Sequence, residues 1–250
     1  MALPLEGRRA LVTGASRGIG RATAVALARA GARVAINFSQ SAEAAAETAA
    51  AVEAAGTSSL VLRADVAEAE QVGSMFDQLK HAWGGIDILV NNAAVTRDGF
   101  LMMMSEAAWE RVIAVNLRGA YLCSRQAIRS MIAGRWGRIV NVVSPAALVG
   151  KDGAANYAAA KGGLLSMGKS LAREVGRYGI TVNAVCPGFI DTEMISGMPE
   201  QERQRLLPQI PLGRFGRSED VAGAISYLTS PAADYVTGSI LTVDGGLLMI

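Results

Sequence analysis

Seven short apolar runs punctuate the chain: "RALVTG", "RVAINF", "SLVLRADV", "IDILVNNA", "RIVNVVS", "ITVNAVCPG" and "SILTVDGG". Most are dense in Val, Ile and Leu and lack strict apolar–polar alternation. A strand exposed on one face alternates with period two, so unbroken runs read as strands covered on both faces. Longer segments of helical composition lie between them. "GRATAVALARAG" and "SAEAAAETAAAVEAAG" are built largely from alanine, the strongest helix former, and each stops at a glycine. "SEAAWERVIAVNL" opens on Ser105 and carries Glu106 and Glu110 early. Strand alternating with helix predicts an α/β fold, a doubly wound Rossmann-type sandwich. Its parallel sheet has about seven strands, with helices on both faces. No linker-like composition shift or internal repeat divides the chain. One domain over residues 1–250 is expected, with a cofactor half to about residue 140 and a catalytic and substrate half from about 141.

Composition narrows the class. Of 250 residues, 51% are hydrophobic and 18% charged, which excludes a disordered chain. The net charge of +2 is spread without a dense basic block, so no nucleic-acid footprint is expected. Cys123 and Cys186 are too few for a disulfide framework, and the lone His81 leaves no plausible metal set. Both cysteines read as small buried apolar residues in a reducing compartment. The opening "MALPLEGRRALVTG" has charges before any long apolar run, unlike a secretory signal. No apolar stretch is long enough to span a membrane. A cytoplasmic enzyme fits, as would another soluble cytoplasmic protein.

The first strand breaks at "TGASRGIG", Thr13 to Gly20. A strand, a glycine-rich turn and a helix starting near Gly18 form the arrangement that holds a dinucleotide pyrophosphate. Glycine admits the phosphates to the backbone, and the helix start points free N–H groups at them. A tight turn without a ligand has the same glycines. The second strand ends at Asn37, Phe38 and Ser39, where an NAD site places a carboxylate for the ribose hydroxyls. A missing carboxylate with Arg17 in the turn favours the 2′-phosphate of NADP. On this reading Asn37→Asp puts a negative charge where that phosphate lies. The alternative is that Arg17 simply faces solvent.

"NYAAAK" sets Tyr157 and Lys161 four apart, on one helix face. An adjacent ammonium favours phenolate and tunes the tyrosine toward neutrality, where it can protonate a carbonyl oxygen as hydride reaches the carbon. A core tyrosine beside a surface lysine gives the same pattern. Ser144 ends the run "RIVNVVS", at the carboxyl edge of a strand, where open parallel sheets bind ligands. There it can hydrogen-bond a substrate carbonyl. Asn116, a poor helix former within an apolar stretch, either holds a water that relays protons to Lys161 or satisfies a kink.

Taken together, "TGASRGIG", "ADV" at Asp65, "NNAA" from Asn91, Asn116, Ser144, "YAAAK" and "CPGFIDTEM" resemble the short-chain dehydrogenase/reductase family over essentially the whole chain. The resemblance implies that Asn116, Ser144, Tyr157 and Lys161 are the catalytic tetrad, with Lys161 also contacting the nicotinamide ribose. It implies NADP cradled by Gly14, Ser16, Arg17, Gly18, Ile19 and Gly20, with Asn37, Phe38 and Ser39 at the adenosine ribose. Asp65 and Val66 should meet adenine, and Asn91, Asn92, Ala93 and Ala94 should border the cofactor. Pro187, Gly188, Ile190 and Thr192 should lie at the nicotinamide.

Within the family the chain is most similar to 3-oxoacyl-acyl-carrier-protein reductases, as in "GAANYAAAKGGLLSMGKSLAREV" and "VTGSILTVDGGLLMI". It departs from them at Ala94, Pro145 and Pro208. The likeness implies an acyl carrier protein as partner, met by a basic residue at Arg135, with Arg177 near a second basic position that is Tyr178 here. It also implies a homotetramer covering the apolar tail Leu247, Leu248, Met249 and Ile250. "FLMMM", Phe100 to Met104, fits either an acyl-chain wall or a contact between subunits. The same motifs suit a reductase of another ketone or secondary alcohol, such as a polyketide, steroid or sugar. The fold alone would also suit a non-catalytic dinucleotide-binding protein.

Overall fold

The computed structural model describes residues 3–192 and 199–249. All seven apolar runs form strands: β1 (Arg9–Val12), β2 (Arg33–Phe38), β3 (Ser59–Arg63), β4 (Ile88–Asn91), β5 (Gly137–Val142), β6 (Ile180–Pro187) and β7 (Ile240–Val243). They join one sheet of order β3-β2-β1-β4-β5-β6-β7, with every pairing parallel. Parallel neighbours need a crossover, and the intervening segments supply it as helices. These are α1 (Gly18–Arg29), α2 (Ala42–Ala54), α3 (Ala69–Trp83), α4 (Glu106–Ile113), α5 (Gly119–Gly134), α6 (Ala146–Val149), α7 (Ala155–Val175), α8 (Glu200–Leu206) and α9 (Ser218–Thr229).

Successive strand residues point to opposite faces, and this sorts the interior into two layers. Val12, Val90 and Val140 face a core with Leu27 of α1, Val52 of α2 and Ile225 of α9. Their neighbours Leu11, Leu89 and Ile139 face another with Met75 of α3, Met131 of α5 and Val175 of α7. Both faces are covered, which is why the runs do not alternate. Cys123 and Cys186 are buried and unbridged. Among the described residues no helix is long and apolar enough to cross a membrane.

The strand order reverses at β1 and β4. A crevice therefore opens beyond their carboxyl ends, where ligands of such sheets bind. Thr13–Gly20 follows β1, Asn92–Ala94 follows β4, Ser144 follows β5 and Gly188–Thr192 follows β6, so all four segments rim one edge.

The opposite edge holds Arg135. It ends α5 in the left-handed conformation (φ 48°, ψ 35°), the one positive φ among described non-glycine residues. All six residues of β5 separate it from the Ser144 edge, about 20 Å at strand rise. The expected basic residue beside the cleft is thus at the far end of the sheet in this chain. Nearby, Arg8 and Arg138 stack on Trp136, 3.8 and 4.2 Å from the ring centre, and Arg138 pairs with Asp234. Pro208 does not interrupt a helix: α8 stops at Leu206 and Pro208 lies in the 3₁₀ turn Leu207–Gln209.

Candidate active site

The glycine turn is fastened to the end of β4. Thr13 Oγ1 accepts the N–H groups of Asn92 and Ala93, both at 3.0 Å. The Asn92 amide donates back to the carbonyls of Thr13 (2.9 Å) and Gly14 (3.0 Å). Gly14 has φ +62°, and a Cβ there would stand 2.9 Å from Ala93 Cα. A Cβ at Gly20 would collide with the Gly14 carbonyl and lie 2.6 Å from Asn92 Nδ2. Bare backbone is needed first for this close packing. Ile19 packs against the core, and the Ser16 carbonyl accepts Thr48 Oγ1 of α2. A Cβ on Gly18 would meet Thr192 at 3.5 Å, so the segment after β6 lies over the turn.

The start of α1 fits a pyrophosphate. Its N-cap Arg17 makes no side-chain cap, and no acidic residue occupies its first turn. The first N–H groups of a helix have no intrahelical acceptor, and here the Gly18–Gly20 cradle presents them without a competing carboxylate.

The expectation at the end of β2 needs correcting. Asn37 does not face the crevice surface; it is buried. Its Oδ1 accepts the Gly14 N–H at 3.3 Å, and its Nδ2 donates to Leu62 (3.3 Å) and Ala64 (3.0 Å). Asn37→Asp would aim a carboxylate at two carbonyls and damage the sheet before it met a cofactor. Phe38 is buried too, leaving Ser39 exposed. Arg63, which composition did not single out, donates from Nε to the Ser39 carbonyl at 3.4 Å, and Arg17 is exposed in the turn. The test of cofactor choice therefore moves to Ser39→Asp. Isothermal titration is expected to show NADPH binding weakened at least tenfold and NADH little changed. Equal losses for both would remove Ser39 from the phosphate site.

Asp65 is already partnered. Its Oδ2 pairs with Arg111 of α4 at 2.8 Å and its Oδ1 accepts the Ala67 N–H at 3.0 Å. An adenine amino group would share that carboxylate with Arg111, a residue without a sequence signal. Val66 is buried against Gly119. Asn91, expected at the cofactor, lies in the interior and donates to Asn141 (2.9 Å) and Ser124 (3.1 Å). Asn92, Ala93 and Ala94 form the rim instead.

The four expected catalytic residues come from three elements. Asn116 sits in a π turn, Ala114–Arg118, between α4 and α5. Such turns interrupt the helical ladder and recur at functional sites. Its oxygen accepts the Val95 N–H (2.8 Å) and its amide donates to the Val95 carbonyl (3.0 Å). Its side chain thus ties the π turn to the segment after β4 rather than to the helix's own backbone. Ser144 lies two residues beyond β5, against the short helix that Pro145 starts, and accepts the Ala146 N–H at 3.3 Å. Tyr157, in the first turn of α7, lies near enough to Ser144 for that hydroxyl to act on its proton. Lys161 is fully buried, on the apolar stripe with Leu164, Leu165, Gly168 and Ala172. Its Nζ donates to the Val142 carbonyl at 2.7 Å and lies 5.7 Å from the Tyr157 ring centre.

Burial, not charge pairing, dominates the electrostatics. Burial pushes the Tyr157 phenol above its ordinary value; the nearby Ser144 hydroxyl opposes this and the Asp98 charge adds to it. Burial pulls Lys161 down to about 8. Burial therefore outweighs the lysine-driven fall expected in the tyrosine, the ammonium lying 5.7 Å from the ring centre.

After β6, Gly188 packs so tightly that a Cβ would lie 2.7 Å from Asp244 Cα. Pro187 pairs with Val243, and Ile190 is buried and bridged to Gly216. Glu193 and Met194 of "CPGFIDTEM", and Ile250 of the tail, lie outside the described residues. Leu247 and Leu248 are half-buried, while Met249 is exposed.

Residues 14–248 match the family model described as "Enoyl-(Acyl carrier protein) reductase". The chain is 45% identical over 247 residues to a 3-oxoacyl-[acyl-carrier-protein] reductase of Pseudomonas aeruginosa, covering 99% of this chain and 100% of the relative. It is 43% identical over 242 residues to that of Staphylococcus aureus (strain Mu50), covering 97% and 98%. A putative short-chain alcohol dehydrogenase from Sinorhizobium meliloti 1021 superposes with a TM-score of 0.94 at 42% identity, covering 99% and 98% of the two chains. Likeness of this extent, on the same fold, cannot come from a shared core alone; the chain belongs to the short-chain dehydrogenase/reductase family and is an oxidoreductase.

Proposed function

We propose that the protein reduces a 3-oxoacyl thioester to the 3-hydroxyacyl thioester with NADPH, in the cytoplasm, the acyl group being carried on acyl carrier protein or coenzyme A. The observation that carries this reading is Tyr157 set beside Ser144, one turn from the buried Lys161, on the same sheet edge as the uncapped α1 start. NADPH when bound supplies the hydride for the carbonyl carbon. Ser144 and Tyr157 hold the carbonyl oxygen between their hydroxyls. Tyr157 gives that oxygen its proton as the carbon–oxygen double bond opens, which yields a secondary alcohol. Its raised pKa keeps it protonated at neutral pH, as an acid must be. Lys161 holds the end of β5 through Val142, two residues before Ser144, and places a cation behind the ring.

The relatives' names support the 3-oxoacyl thioester. The absence of a carboxylate at Ser39, with Arg63 donating to its carbonyl and Arg17 exposed in the glycine turn, supports NADPH. A homotetramer is the assembly proposed. Phe100, Leu101, Met102 and Met103 are all exposed and adjacent, an apolar surface that a neighbouring subunit would cover. Light scattering at micromolar concentration is expected to report four chains.

The test is kcat/KM for 3-oxoacyl carrier-protein and coenzyme A thioesters, a 2-enoyl thioester and unrelated ketones, each with NADPH and NADH. The 3-oxoacyl thioesters with NADPH are expected to lead by at least tenfold. A better rate on an unrelated ketone or on the enoyl thioester would overturn the substrate reading.

A further inference from the structure

The helix that carries Tyr157 starts without a conventional cap. Its N-cap is Ala154, whose side chain has no acceptor for the first-turn N–H groups. Asn156, the second residue of α7, takes that task from inside the helix. Its Oδ1 accepts the Tyr157 N–H at 2.7 Å. The other end of the same amide leaves the helix: Nδ2 donates to the Arg97 carbonyl at 3.0 Å and weakly to the Ala108 carbonyl of α4 at 3.5 Å.

Asparagine is a poor choice this early in a helix unless its side chain is committed elsewhere. Here it has no exposed surface at all, so every polar atom left unpaired would be costly. The Arg97–Gly99 loop and the segment before Tyr157 are joined twice more. Gly99 N–H donates to the Gly153 carbonyl at 2.7 Å, and Lys151 pairs with Asp98 at 3.0 Å. The ion pair is about half exposed and holds little. Asn156 is the buried side chain among these ties, and it touches Tyr157 directly.

We propose that Asn156 is the positioning residue of the proton donor: it fastens the first turn of α7 to the Arg97–Gly99 loop, and so sets where the Tyr157 hydroxyl stands relative to Ser144. The proposal rests on the reading of Tyr157 as that donor. It predicts coupling between the two residues, which a general role in folding would not produce.

The experiment is a double-mutant cycle of Asn156→Ala and Tyr157→Phe on the full chain, read as kcat, ketone KM, NADPH affinity by titration, and Tm. Asn156→Ala alone is expected to lower kcat ten- to a hundredfold, with KM and NADPH affinity within about threefold. Placed on Tyr157→Phe it is expected to cost less than twofold, since no hydroxyl is left to misplace. An equal cost in both backgrounds, or a loss that appears in NADPH affinity rather than kcat, overturns the proposal. If Asn156→Ala does not fold, Asn156→Ser, whose hydroxyl is too short to reach Arg97, takes its place in the cycle. Tyr157→Phe alone separates the two ideas. If it keeps full turnover, the donor reading fails; if it is inactive while Asn156→Ala is as fast as the unaltered protein, only the positioning role fails.

Discussion

Replacing Tyr157 with phenylalanine is expected to cut ketone reduction at least 10²-fold while leaving NADPH affinity within about twofold, the size of effect usual for loss of a positioned general acid. The ring packing survives, because only the hydroxyl is removed. What disappears is the O–H beside Ser144. Besides Tyr157, the described groups of displaced pKa at this edge are the Cys186 thiol, which burial pushes up to about 12, and the Lys161 ammonium, which burial pulls down to about 8; both are fully buried. Oxidation of NADPH followed by absorbance, with binding titrated separately, reads both quantities. A Phe variant within a few-fold of the unaltered rate would move the proton source to water or to another side chain.

Lys161→Met is expected to abolish turnover, by 10³-fold or more, without lowering Tm. The lysine is fully buried and burial pulls it from 10.5 to about 8. Keeping it charged costs about 3 kcal/mol at neutral pH. Methionine fills similar volume and carries no charge, though the Val142 carbonyl loses its donor, at a cost of about 1–3 kcal/mol. The two nearly cancel or favour the variant. The sign with pH follows from a folded-state value below the unfolded one. The penalty is complete below about 8 and fades as pH rises toward 10.5, so the variant's relative advantage is largest at neutral pH and shrinks in alkali. Thermal melts between pH 7 and 10, beside turnover at pH 7, test this. A clear fall in Tm at pH 7 would show that Lys161 supports the fold rather than strains it.

Much of this molecule was written locally. The seven Val- and Ile-rich runs became seven parallel strands because a strand covered on both faces has no reason to alternate, and the helical spacers left only crossover connections. The glycines of Thr13–Gly20 and the four-residue spacing of Tyr157 and Lys161 are likewise properties of short stretches, and the structure brings these to one sheet edge. Even the depth of Lys161 had a signal: it is in phase with Leu164, Leu165, Gly168 and Ala172, a buried stripe rather than a solvent face. What local pattern could not convey was which distant groups would meet. Asn37 turned inward because the carbonyls of Leu62 and Ala64 on the adjoining strand and the Gly14 N–H claimed its amide. Asp65 found Arg111, 46 positions away, and Asn156 found the Arg97 carbonyl, 59 positions away. Arg135 and Ser144 lie close in sequence yet at opposite edges, since a strand carries the chain straight across the sheet. The pKa values were beyond local reach for the same reason: burial set them, and burial is decided by the packing of elements that are neighbours only in the folded chain.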